Sequence, residues 1–191
     1  MQASIYADVV GSKKLDDPDA LILALGVAVR FLNQEFAPVV VEPFVVDFGD
    51  EIRGSISDPA EAPLCVSVMR ECLAPVMLRV GVGIGQSAED AFTIARHEDV
   101  LVHYVGSGDA GDLLLNAFCR LLDPVVRRRT AKQWEALRAM RTCGDRTRAA
   151  QSLGIARQSL SDRLRAANFS LIEEADATVA TYLAAVADPA L

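Results

Sequence analysis

A chain of 191 residues, 51% of them apolar, carries enough hydrophobic side chain for a real core. That excludes a disordered tail protein and suits one sizeable domain or two small ones. The formal net charge of −7 argues against nucleic acid only on average, because residues 124–169 hold eleven Arg or Lys against three acids, +8, and the rest holds −15.

In chain order, Ser4 to Val10 is a β-branched, apolar run that predicts a strand, followed by a polar turn from Gly11 to Asp17. Asp17 with Pro18 reads as an N-cap and first helical position. The helix it opens extends to about Phe36, with Leu21, Leu25, Ala28 and Leu32 on one face. Strands Val39 to Asp47 and Glu51 to Ser57 follow, joined by a tight turn at Phe48-Gly49-Asp50. Asp58-Pro59 opens a second helix by the same device, Pro75 closes it, and Met77 to Ile84 predicts a fourth strand. This strand-helix-strand-strand-helix-strand order is the split βαβ arrangement of ferredoxin-like folds. It lays strand three between strands one and two and brings Asp8 and Asp50 together.

Ser87-Ala88-Glu89-Asp90 has capping-box spacing and predicts a helix to His97, with a fifth strand from Val100 to Val105. Gly106 to Gly111 is the expected linker, which divides the chain into a sheet domain (1–110) and an all-α domain (111–191). The expected fold class is therefore α+β, an antiparallel sheet domain followed by helices. Gly81, Gly83 and Gly85 lack G-x-G-x-x-G spacing before a helix and are expected to let the backbone pass close to a sheet neighbour.

A helix-turn-helix is expected over residues 131–169. Ala131 to Arg141 gives a first helix with Trp134, Leu137 and Met140 on one face. Asp145 caps a second helix, Gly154 permits the left-handed corner, and Ala156 to Ala166 makes the third. With Ala149, Ala150, Leu153, Ile155, Leu160 and Leu164 inward, the residues expected outward on the third helix are Arg157, Gln158, Ser159, Ser161, Asp162, Arg163 and Arg165. Arg and Gln reach base edges, and Ser or Arg reach phosphates. Arg146, Arg148 and the outward set other than Asp162 are the candidate contacts to double-stranded DNA. A helical hairpin that binds an acidic protein partner would show the same pattern. Leu171 to Ala187 predicts a last amphipathic helix for packing or for a homodimer contact, and two copies would match half-sites one DNA turn apart.

The segments Asp8-Val9-Val10-Gly11-Ser12-Lys13-Lys14, Phe48-Gly49-Asp50-Glu51-Ile52 and Arg79-Val80-Gly81-Val82-Gly83-Ile84-Gly85, with a terminal helix-turn-helix, resemble the SatD family of bacterial proteins. More distantly they are similar to the palm domain of class III nucleotidyl cyclases and GGDEF diguanylate cyclases. The resemblance implies a Mg²⁺ site at Asp8 and Asp50, completed by the Val9 carbonyl, with Ser12, Lys13 and Lys14 taking phosphate oxygens of a purine nucleotide. It implies either a nucleotide-responsive DNA-binding regulator or a cyclase-like enzyme. Ile52 and Arg53 depart from the families' pattern, and no purine-reading or transition-state residue can be placed. A tight hairpin alone would also favour Gly49-Asp50, and Asp8 would equally serve as a turn acceptor.

No basic stretch followed by an apolar core opens the chain, and its longest apolar run, Ala20 to Val29, falls short of the roughly 18–20 residues of a membrane span. Cys65, Cys72, Cys119 and Cys143 lack C-x-x-C spacing and read as buried thiols of a reducing compartment. A cytoplasmic protein with no membrane partner is expected. His97 and His103 are expected to be ordinary residues.

Overall fold

The computed structural model describes residues 1–14 and 17–188, the side chain of Lys14 excepted. It is an α+β protein. Strands β1 (Ala3–Val9), β2 (Val40–Asp47), β3 (Glu51–Ile56), β4 (Leu78–Ile84) and β5 (Val102–Val105) form one sheet in the order β2-β3-β1-β4-β5. β1 pairs antiparallel with β3 and β4, β2 pairs antiparallel with β3, and β5 joins β4 in parallel. The first four strands have the expected ferredoxin-like order.

The helices α1 (Pro18–Glu35) and α2 (Ala62–Leu73) begin where Asp-Pro pairs stand. The Asp17 carboxylate accepts from the Ala20 N–H at 2.9 Å, satisfying one of the four N–H groups that a helix start leaves free. Asp58 does the same for Ala60 at 2.9 Å, through a short 3-10 turn (Pro59–Glu61) ahead of α2. One face of the sheet, with Ile5, Ala7, Ile52, Ile56, Val80 and Val82, is buried beneath these two helices. β2 is an edge strand that carries Pro43 and register shifts, both of which discourage further pairing there.

α3 (Glu89–His97) lies on the other face. A Cβ on Gly81 would stand 2.3 Å from the Phe92 amide nitrogen, and one on Gly83 would stand 2.4 Å from the Ser87 carbonyl oxygen. The two glycines therefore admit α3 and its lead-in, rather than a neighbouring strand. β3, β4 and β5 run parallel and are reached by steps in the same direction across the sheet. With α2 and α3 on opposite faces, the two crossovers have opposite hands, so one departs from the usual right-handed rule. The expected capping box ahead of α3 does not form: the cap is Ala88, and Ser87 Oγ instead accepts from the Glu89 N–H at 3.2 Å.

Of residues 106–111, expected as a linker, 106–108 form a tied turn and 109–111 open the next helix. Asp112 accepts from the N–H groups of Gly106 and Ser107, both at 2.9 Å, and from Ser107 Oγ at 2.6 Å. α4 (Asp109–Arg127) then runs along the open edge of β5. Its buried Asn116 bonds both the N–H and the carbonyl of Tyr104, at 2.7 and 2.8 Å, and its buried Asp123 accepts from the Leu101 N–H at 2.7 Å. Asp112, Asn116 and Asp123 fall on one stripe of α4, so side chains satisfy the backbone groups that a further strand would otherwise pair.

α5 (Ala131–Cys143), α6 (Arg146–Ser152) and α7 (Arg157–Ala166) form the helix-turn-helix around a second core of Trp134, Leu137, Ala149, Ala150, Leu160 and Leu164. α8 (Phe169–Ala187) returns to the sheet half, where Val179 and Leu183 join the first core beside Leu115 of α4. The three-helix unit is thus bracketed by two helices that pack on the sheet half, α4 along β5 and α8 against α2 and the 3-10 turn before it. Among the described residues, no helix is long and apolar enough to cross a membrane.

Candidate functional site

The first candidate surface is built from three short helices whose ends are well marked. Thr130 opens α5 with a capping box, its hydroxyl accepting from the Gln133 N–H while Gln133 Oε1 accepts from the Thr130 N–H at 2.8 Å. Gly144, in the left-handed region, closes α5, and the Asp145 carboxylate accepts from Thr147 and Arg148 at 2.8 and 2.9 Å to start α6. Those backbone donors, Arg148 first, hold the Asp145 carboxyl below its ordinary range. Gly154 at φ 63° makes the corner into α7.

On α7 the buried Leu160 and Leu164 turn Arg157, Gln158, Ser159 and Arg165 to solvent. Arg146 and Arg148 of α6 are exposed beside them. Ser161 and Arg163 are half-buried, and Arg163 reaches Glu135 of α5 at 3.6 Å. Asp162 sits amid the outward set, accepting from Gln158 Nε2 at 3.2 Å and pairing with Arg165. It bonds two long side chains of the outward set at once.

Several of the basic residues that gave the segment its charge are spent inside the protein. Arg141 makes a two-pronged bond to Glu71 of α2 at 2.5 and 2.8 Å, and Arg138 Nη1 donates to the Ala74 carbonyl at 3.1 Å. Arg127 pairs with Asp99 at 3.5 Å. Arg129 lies 4.8 Å from the Trp134 ring centre, where burial and then the charge of Arg70 push its guanidinium down to about 10. The Arg138 and Arg141 contacts dock α5 onto the sheet half. Nearby, Ser67 Oγ donates to Asp176 of α8 at 2.6 Å, and burial raises that carboxyl to about 6. Trp134, 2% exposed, is a core anchor, and Arg129 stacks on it.

The second candidate lies at the hairpin end of the sheet. Asp8 sits opposite Glu51, and the Val9 N–H donates to the Asp50 carbonyl at 3.3 Å, which fixes the two acid-bearing segments side by side. Phe48 and Gly49 both take positive φ, 47° and 89°, to turn the hairpin. Asp8 is half-buried; burial, then the Asp50 charge, raise its carboxyl above the ordinary range, with Arg96 acting against them. Ser12 is half-buried and Lys13 exposed in the 3-10 turn (Ser12–Lys14) after β1. The Lys14 side chain lies outside the described residues. Among the described residues no group of three His, Cys, Asp or Glu side chains converges as a metal site. Two mutually repelling carboxylates still suit Mg²⁺, which takes one or two protein carboxylates beside phosphate oxygens.

A groove next to this end was not expected from the sequence. Tyr6 stacks on Phe92 at 4.1 Å, and the Arg53 guanidinium lies 4.2 Å above Tyr6 and within 3.3–3.7 Å of Asp47, Glu51 and Glu89. The groove, about 370 Å³, continues between Ser4, Glu42, Gln86 and Ser87. The alternation of Ser4, Tyr6 and Asp8 on one face of β1 was the available signal. Its partner Phe92 is 86 residues further along the chain, on a helix whose face no local pattern assigns. His97 is exposed, and His103 is buried with Nε2 against Asn116 at 3.3 Å.

No family model matches the chain, and no curated protein matches it. Among solved structures it is similar to the crystal structure of a regulator of polyketide synthase expression from Bifidobacterium adolescentis. That match has 15% identity over 97% of this chain and 84% of the other, with a TM-score of 0.28, too low to carry an argument about activity.

Proposed function

We propose that this chain is a DNA-binding regulator that reads double-stranded DNA with α7 and responds to a purine nucleotide in its sheet half. The observation that carries the reading is the surface of α6 and α7: Arg146, Arg148, Arg157, Gln158, Ser159 and Arg165 exposed together on a tightly packed helix-turn-helix. Arg157 and Gln158 are the base-reading side chains, and Arg146, Arg148 and Ser159 contact phosphates. Ser161 and Arg163, half-buried, support the helix from below and reach the backbone at the rim.

In the sheet half, Asp8 and Asp50 with the Val9 carbonyl would hold Mg²⁺, and Ser12, Lys13 and Lys14 would take phosphate oxygens. The ion would neutralise the nucleotide's phosphates. The bond between Glu71 and Arg141 gives the two halves a physical connection. A coupling of about 1–3 kcal/mol between nucleotide and DNA would be typical. The juxtaposed acids also favour a second reading, a cyclase-like enzyme, which only pyrophosphate release from a triphosphate would support.

The test is binding to the DNA upstream of the protein's own gene at two salt concentrations, with Arg157→Ala alongside. Tight, salt-dependent binding that the substitution weakens by about 1–3 kcal/mol is expected. Binding no tighter than to unrelated DNA, with or without nucleotide, would end the regulator reading.

A further inference from the structure

α4 presents two unlike faces. One is the polar stripe of Asp112, Asn116 and Asp123 and the apolar residues that join it to the sheet. The other faces solvent with Ala110, Leu113, Leu114, Ala117, Leu121 and Pro124, all exposed, Leu113 at 72% and Leu121 at 75%. At about 100° per residue these six fall within one sector about 100° wide, the breadth of a buried helix face.

We infer that this face of α4 pairs with the same face of a second copy of the chain, antiparallel, about a two-fold axis at Ala117. Five of the six residues are self-complementary about that residue; Leu114, three positions before it, stands opposite Arg120 of the second copy. Leu113 stands four positions before it and Leu121 four after, and Ala110 and Pro124 stand seven before and after. In an antiparallel pair each therefore meets the other in the second copy, as an isologous interface requires. The small side chain at the axis lets the helices approach closely. Charge agrees with this direction. The exposed Asp109 lies at the start of α4 and the exposed Arg128 just past its end, with no ion partner for Arg128 among the described residues. Long side chains on a helix lean toward its N-terminus, which brings Arg128 level with Asp109 of the second copy.

Sedimentation equilibrium of the full chain without DNA tests the interface. The protein is expected to be a dimer whose dissociation constant rises on the order of a hundredfold or more in Leu121→Glu. Leu23→Glu, on the exposed apolar face of α1, is expected to leave the dimer intact. Arg128→Asp should weaken pairing and Asp109→Arg in the same chain should restore it. A monomer at all concentrations, or a dimer that survives Leu121→Glu and dissociates in Leu23→Glu, overturns the inference. A dimer that ignores DNA would sink the regulator reading and leave the interface standing. Specific DNA binding by a monomer would do the reverse.

Discussion

Replacing Asp176 by Asn should make the protein more stable above pH 6, although the substitution removes a charge that faces arginines. Burial holds the Asp176 carboxyl at about 6 against an ordinary 3.8, even with Ser67 donating to it and Arg70 and Arg141 nearby. An acid whose folded-state pKa is raised binds more protons in the folded than in the unfolded chain between those values, so its contribution to stability falls as pH climbs from 3.8 to 6. Below that window both states are protonated and nothing is lost. Above it the ionised carboxylate costs the folded state about 3 kcal/mol, at about 1.4 kcal/mol for each pH unit separating the two values. Asn has the shape of the protonated acid and keeps an acceptor for Ser67 Oγ. Urea unfolding of both proteins should therefore give equal stabilities at pH 4 and a gain of about 3 kcal/mol for Asp176→Asn at pH 8. In thermal melts the gain at pH 8 corresponds to roughly 6–12 °C for a chain of this size. A less stable variant at pH 8 would show that Arg70 and the other favourable neighbours stabilise the carboxylate more than its burial penalises it, and a gain below about 1 kcal/mol that the two nearly cancel.

Arg141→Ala should cost about 2–3 kcal/mol in urea unfolding, because it strands the buried Glu71 carboxylate; the partial exposure of Arg141 keeps the figure below the full cost of breaking a buried pair. Adding Glu71→Gln should recover part of that loss, and strictly additive losses would mean that the pair does not couple the halves. For the hairpin site, saturating Mg²⁺ with a purine triphosphate should raise the melting temperature by several degrees, as ligand at about a hundred times its dissociation constant supplies about 2.7 kcal/mol. Asp8→Asn should abolish the rise. In the natural protein the rise should grow as pH passes upward through the raised pKa of Asp8, because the metal takes the ionised carboxylate. No shift at any pH would remove the nucleotide from the proposal.

The elements were legible where their causes are local. Asp17-Pro18 and Asp58-Pro59 start helices in isolation from everything else, and the inward set of α1 is the 3.6-residue period itself. The helix-turn-helix was legible because its glycine, cap and aliphatics lie within 40 residues. The adjacency of Asp8 and Asp50 followed from topology alone, since strand order fixes which ends meet. What escaped depends on contacts across the chain. Gly81 and Gly83 are small because α3 crosses them, and no spacing within β4 says so. Asp112, Asn116 and Asp123 look like ordinary solvated positions until the edge of β5 is beside them. Likewise a count of positive charges cannot tell Arg157, which faces solvent, from Arg141, which is bonded to a carboxylate 70 residues earlier.

The bracketing of the three-helix unit by α4 and α8 bears on the order in which a nascent chain would acquire this structure. Domains commonly form as they leave the ribosome, the N-terminal one first. Here the sheet half, made first, lacks Val179 and Leu183 of its core until α8 has followed, whereas α5 to α7 close mostly among neighbours in sequence. Contacts between near neighbours form fastest. The three-helix unit can thus close most of its packing early, but Phe169 and Ile172 of α8 complete its core as Val179 and Leu183 complete that of the strands synthesised before it. Until α8 is made, the rim of the first core beside α2 is incompletely covered, and exposed apolar surface of that kind favours aggregation.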